Sequence, residues 1–270
     1  MPHVAIEDAR NVCLLFHDVY VNDPRDSGFH SPTADRYKLS VTRFDRELAA
    51  LAQVSRPALP FALTFDDGGV SFYTLIADRL EALGWRAHCF VVTDMIGRPG
   101  FLTRAQIQEL DRRGHRFGSH SASHPARMSA CSEDDLVDEW AHSRNVLQDI
   151  VGGPVVTASV PGGFFSRKVA RAAAIAGIQT LMTSEPVTRP HYVAYCRVLG
   201  RFAIRQTSAP DISARLVDSA PWARWTAWTD WNAKALIKPI LGNAYARVAD
   251  WLMAQKAAPH SHTTTQEKRP

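Results

Sequence analysis

"FALTFDDGG", residues 61–69, sets an apolar run of strand length directly against two acids and two glycines. Phe, Ala, Leu, Thr and Phe suit a buried, pleated strand, and five residues are too few for an independent helix. Asp66 and Asp67 are adjacent carboxylates, which repel each other and are costly to desolvate. They require a cation or open water, so this strand ends at a site or at a surface.

The segments on either side repeat one pattern. "VCLLF" (12–16) is strand-like, and "VTRFDRELAALAQ" (41–53) spaces its apolar residues as a helix does. "YTLIADRLEALG" (73–84) is an amphipathic helix closed by Gly84, and "RAHCFVV" (86–92) is a strand. "TRAQIQELDRRG" (103–114) opens with Thr103 and Gln106 at capping-box spacing and stops at Gly114. "HRFGS" (115–119) is a strand, and "SEDDLVDEWAHSRNVLQDIVG" (132–152) is a helix with acids in its first turn, as the helix dipole favours. Strand 155–160, helix 166–177 and strand 178–182 follow. Alternating β and α segments predict a parallel sheet, open or closed into a barrel.

Polar residues follow these strands directly: His17 and Asp18, Asp66 and Asp67, Thr93 and Asp94, His120 and His124, then Pro161, Gly162 and Gly163, and finally Thr183 to Glu185. Sites in such folds lie at the carboxyl ends of the strands, so these loops are expected to converge on one rim. In "GSHSASHP" (118–125) the two histidines are four apart, and a helical turn there would point both imidazoles the same way. Two imidazoles and a carboxylate suit Zn²⁺, with Co²⁺, Ni²⁺ or Mn²⁺ as alternatives. Asp67 is the natural third ligand. Asp66 then stands as general base for a water whose pKa the ion lowers.

Together, "LTFDDG", "GHRFGSHSASHP", "LLFHDV" (14–19) and "LGWRAHCFVV" (83–92) resemble the polysaccharide deacetylases, the carbohydrate esterases that act on chitin and peptidoglycan. The resemblance runs over roughly residues 10–205. It implies a distorted (β/α) barrel and metal-dependent removal of an N-acetyl group from a sugar, with Asp66 as base and Asp67, His120 and His124 as ligands. The pattern departs from the family in two places. Where an orienting Arg is expected before Pro and Gly, the chain reads "ASVPGGFFS" (158–166), leaving Pro161, Gly162 and Gly163 as a groove wall. Where a late strand should carry the acid His, it reads "VLGRFAIRQTS" (198–208). His17 and His191 are candidates for that role, and Glu185 for support of the rim. These departures suggest a divergent subgroup acting on a biosynthetic intermediate. A deformylase of a lipid-linked amino sugar and a non-catalytic carbohydrate-binding homologue are the alternatives.

The remaining features bound the setting. The 270 residues are 46% hydrophobic and 21% charged with a formal net charge of +4, which fits one large α/β domain and a small appendage. So mild a basic excess does not single out nucleic acid, and none is expected as a partner. The four cysteines, Cys13, Cys89, Cys131 and Cys196, form no CxxC pair and read as reduced. No signal-like start and no apolar run of about 20 residues is seen, so a cytoplasmic protein is expected. The expected division is a barrel over 1–210, a Trp-rich helical extension over 211–256 and a disordered tail over 257–270. Trp222, Trp225, Trp228 and Trp231 recur every third residue among Arg224, Lys234 and Lys238. They either pack on the barrel or make a peripheral contact at the inner membrane face, where a lipid-linked N-acetylated sugar would be met. Pro239 is expected to split the segment into two helices.

Overall fold

The computed structural model describes residues 11–55, 57, 59–218 and 221–232. Lys234, Lys238, Pro239 and the tail 257–270 lie outside the described residues. The chain divides into two compact units, Met1–Trp228 and Thr229–Pro270. In the first unit the strands are β1 (Val12–Phe16), β2 (Val19–Tyr20), β3 (Leu39–Ser40), β4 (Phe61–Phe65), β5 (His88–Val91), β6 (Arg116–Ser119), β7 (Thr157–Ser159), β8 (Thr180–Met182), β9 (His191–Val193), β10 (Cys196–Leu199) and β11 (Phe202–Ala203). Nine of them form one sheet in the order β11-β1-β4-β5-β6-β7-β8-β10-β9, while β2 and β3 pair separately. All neighbours in the large sheet are parallel except β10 and β9. The sheet curls without its edge strands β11 and β9 meeting, which makes the (β/α) barrel distorted and unclosed.

The helices are α1 (Val41–Ala52), α2 (Ala77–Ala82), α3 (Arg104–Arg112), α4 (Glu133–Val151), α5 (Arg167–Ile175) and α6 (Ile212–Val217). Their ends follow local chemistry. Thr103 and Gln106 form the full reciprocal capping box of α3, and Ser132 and Ser166 cap α4 and α5. Gly152 closes α4 in the left-handed region. The helix expected over 73–84 opens instead with a wide turn at Phe72–Ile76, where the Ala77 N–H reaches back to the Phe72 carbonyl. Packing of α6 on α1 carries the first unit on to Trp228. Over 222–228 the core-facing residues are Ala223 and Ala227, whereas Trp222, Trp225 and Trp228 are 71%, 57% and 44% exposed. Among the described residues no helix is long and apolar enough to cross a membrane.

Strand periodicity places the site. Outward residues such as Leu14, Phe16, Leu63, Phe65, Ala158 and Leu181 pack under the helices. The inward apolar set is smaller: Cys13, Ala62, Phe90, Met182 and Leu199 cluster there. Counting by twos along each strand carries the inward face to His17, Asp66, His120 and Ser159 just as the strands end. Gly118 belongs to this face, because a Cβ there would come within 2.6 Å of both the Phe90 ring and Thr157 Oγ1.

Asp18 organises the loops beneath the rim. Its Oδ1 accepts from Ser27 Oγ at 2.5 Å and Ser71 Oγ at 2.7 Å. A Cβ on Gly69 would lie 1.9 Å from that oxygen, so the second glycine of "DDGG" is what admits the carboxyl. Burial raises the Asp18 carboxyl to about 6, with the two serine hydrogen bonds pulling it down and Asp67 pushing it up. A carboxyl whose folded pKa lies above its unfolded one favours the fold when protonated and costs stability once ionised. In chelated protein, the stability of wild type minus that of Asp18→Asn is expected to fall by up to about 3 kcal/mol between about pH 4 and 7. Urea denaturation at several pH values measures this, and a difference independent of pH would refute the ionised, buried state.

Candidate active site

The turn after β4 is built for close approach. Asp67 and Gly68 have φ of 77° and 76°, and a Cβ on Gly68 would press to 2.9 Å from Val91 Cγ1. Asp67 pays no glycine-like latitude into this conformation, so a left-handed aspartate at a strand end marks a held carboxyl. Its Oδ1 lies 3.4 Å from His120 Nε2 and 3.8 Å from His124 Nε2. One ligand atom from each of the three residues falls within 4.8 Å of the others.

The two histidines do not meet on a helical turn, as their spacing suggested. The chain after β6 is a loop in which Ser121 and His124 have φ of 62° and 59°. Side chains from both near and far fix it. Ser121 Oγ accepts from the His124 N–H at 3.0 Å. Glu139 of α4 accepts from the N–H groups of Ala122 and Ser123 and from Ser123 Oγ. His120 is oriented by its other nitrogen: Nδ1 lies 2.9 Å from the Ser159 carbonyl, which can only accept, so Nδ1 carries the proton and Nε2 keeps its lone pair for the site. His124 is steadied by Phe29, 4.9 Å away between ring centroids.

Asp66 is held differently from Asp67. The guanidinium of Arg201 makes two bonds to it, Nη1 to Oδ1 and Nη2 to Oδ2, both 2.7 Å. Ser159 Oγ donates to Asp66 Oδ2 at 2.9 Å and accepts from Arg201 Nη2 at 2.6 Å. Arg201 Nε donates to the Thr183 carbonyl, and Phe90 lies under the guanidinium at 5.5 Å. Arg201 and Ser159 are fully buried. The orienting arginine missing from 158–166 is thus supplied from the turn between β10 and β11. Sequence reading sought a histidine in "VLGRFAIRQTS" and passed over this residue. The available signal was a charge inside an apolar strand run, which must find a buried partner.

Electrostatics follow from these contacts. Burial works against ionisation of Asp66, but Arg201 and His120 overcome it and hold the carboxyl well below the usual range. Burial likewise opposes ionisation of Asp67, and His120, His17 and His124 reverse the sign. His120 is disfavoured as a cation by burial, yet Asp66 and Asp67 raise it overall. His124 is lowered, by burial first and then by His120. The site therefore presents two carboxylates and a neutral His124, the donor set a divalent cation takes.

The remaining expected residues sort by position. His17 is half-buried and feels Asp67, Asp66 and His120; its ring lies tilted against Tyr37 at 4.7 Å, and its Nδ1 is buried with no hydrogen-bond partner. Pro161 is buried, and Gly162 and Gly163 turn the chain with φ of 60° and 70°. Glu185 contributes its carbonyl, which accepts from the Arg201 N–H at 2.9 Å. His191 is exposed on β9 against Phe165. Cys13 and Cys89 are buried and unpaired, as expected of core thiols.

Known proteins resemble this chain in sequence and fold. Residues 54–181 match the polysaccharide deacetylase family. A peptidoglycan N-acetylglucosamine deacetylase of Bacillus cereus is 28% identical over 124 residues, 46% of this chain and 55% of the relative. The peptidoglycan N-acetylglucosamine deacetylase PgdA of Listeria monocytogenes is 30% identical over 126 residues, 46% of this chain and 26% of the relative. The matches thus span about half or less of these relatives' length. The Streptococcus pyogenes deacetylase PplD, solved in complex with acetate, superposes with a TM-score of 0.65 at 20% identity, covering 78% of this chain and 99% of that one. With its motif residues gathered on the rim of an unclosed (β/α) barrel, the chain resembles a divergent polysaccharide deacetylase, and residues 54–181 carry the match to that family.

Proposed function

We propose that the chain is a metal-dependent hydrolase that removes an N-acetyl group from an amino sugar. The observation that carries this reading is the convergence of Asp67, His120 and His124 beside an Asp66 locked by Arg201. Asp67, His120 and His124 would hold a divalent ion, Zn²⁺ by the nature of the donors, which supplies Lewis acidity and eases deprotonation of water. Asp66 accepts the proton of the attacking water. Because Arg201 and Ser159 fix both carboxylate oxygens, Asp66 stays ionised and aimed. His17 donates a proton to the departing nitrogen. Burial opposes its protonation, and the neighbouring Asp67 and Asp66 favour the protonated form that the step needs.

The same reading extends to a lipid-linked substrate met at the inner face of a membrane. Trp222, Trp225 and Trp228 support it, since they face water rather than the core.

Metal content by elemental mass spectrometry, with acetate release from N-acetylated amino-sugar oligomers, tests the proposal. About one equivalent of divalent metal in the wild type, lost in Asp67→Ala together with acetate release, is the expected result. Protein that takes up no Zn²⁺, Co²⁺, Ni²⁺ or Mn²⁺ would overturn it. Release of formate instead of acetate from N-formyl substrates would replace it with the deformylase.

A further inference from the structure

Two arginines flank the site, and neither is neutralised. Arg127 lies in the loop after His124 with its guanidinium carbon 5.6 Å from the centroid of Phe164. That ring follows the Pro161–Gly163 turn and lies over Gly162, where a Cβ would meet it at 3.1 Å. On the other side Arg205, just past β11, stands 4.9 Å from the centroid of Tyr37, the ring that lies tilted against His17. Arg205 Nε is buried without a hydrogen-bond partner. Among the described residues no carboxylate pairs with either guanidinium. The sheet order puts Arg205, Tyr37 and His17 at the β11 and β1 side, Arg127 and Phe164 at the β6 and β7 side, and Asp66 and Asp67 between them.

An aromatic face holds a guanidinium in place without cancelling its charge. It leaves the N–H fork free for an oxyanion, which such a fork matches in two-point geometry. A groove for a neutral polymer has no need of two unpaired cations on opposite rims. We infer that the substrate carries an anionic group, phosphate or carboxylate, beside the acylated sugar, and that Arg127 on Phe164 and Arg205 on Tyr37 read that charge. This inference rests on the amide-hydrolase reading above and narrows its substrate class.

The test compares acetate release from N-acetylglucosamine 1-phosphate, N-acetylmuramic acid and neutral diacetylchitobiose by the metal-loaded full chain. The expected kcat/KM for an anionic sugar exceeds that for the neutral one by about tenfold or more. The anionic-to-neutral ratio should collapse toward one in Arg127→Ala/Arg205→Ala and shrink with added salt. The arm that leads, phosphate or carboxylate, identifies the source of the charge. Equal kcat/KM for neutral and anionic sugars, or a preference that survives the double variant, would overturn the inference while leaving the hydrolase reading intact. Calorimetric titration with glucosamine 1-phosphate separates the two. Binding that weakens about tenfold in the double variant, with no acetate released from any sugar, would sustain the anion site and sink the hydrolase.

Discussion

Arg201→Met is expected to destabilise the protein by about 3–5 kcal/mol, more than loss of packing at one side chain would give, because it strands the buried carboxylate of Asp66. Methionine keeps most of the volume and the contact with Phe90, so the loss reports the charge rather than a cavity. The double variant Arg201→Met/Asp66→Asn should recover most of that loss, since a neutral pair leaves no buried charge uncompensated. Urea denaturation of chelated protein at neutral pH measures both. The sign with pH is fixed by the direction of the Asp66 shift. A carboxyl held below its unfolded pKa contributes stability that is complete above the unfolded value and is lost as pH falls toward the folded one. Without Arg201, that acid-side loss shrinks or reverses as burial raises the Asp66 pKa. The acidic limb of the kcat/KM profile should move up with it if Asp66 is the base. Equal stabilities of wild type and Arg201→Met would mean that the pair is not formed.

What could be read from the sequence, and what could not, divides along the range of the interactions. Caps and end charges are local, so Thr103 with Gln106 announced the start of α3, and the first-turn acids that of α4. The βα order is nearly local too, and with it came the rim that gathers Asp66, Asp67, His120 and His124. The path between the two histidines was misread because their spacing fits a helix, while the loop obeys Glu139, which reaches it from another element. Arg201 was invisible for a stronger form of the same reason: its partner Asp66 lies 135 residues away. Neither "SVPGG" nor "LGRFA" reveals alone that a serine has taken one position and an arginine another. The tryptophan stripe carried period without direction. Its period suits a helix, but only packing decides that Ala223 and Ala227 face the core and the large rings do not.

The proposed division of labour between the adjacent acids gives the other large effect. Asp66→Asn should lower kcat about 10²–10⁴-fold, the range for removing a general base, while the bound metal stays near one equivalent. Asp67→Ala should lose both, because Asp67 and not Asp66 closes the ligand set with His120 and His124. The single Asp66→Asn change carries a complication: it leaves the Arg201 cation buried against a neutral amide, which alone is destabilising. The double variant removes it. Arg201→Met/Asp66→Asn should fold, keep its metal and still lack the base, so its deficit in acetate release measures proton abstraction free of stability loss. A double variant that holds metal and retains wild-type turnover would show that Asp66 is structural. The base would then have to be sought elsewhere on the rim, with His17, half-buried and carrying an unpartnered Nδ1, as the next residue to replace.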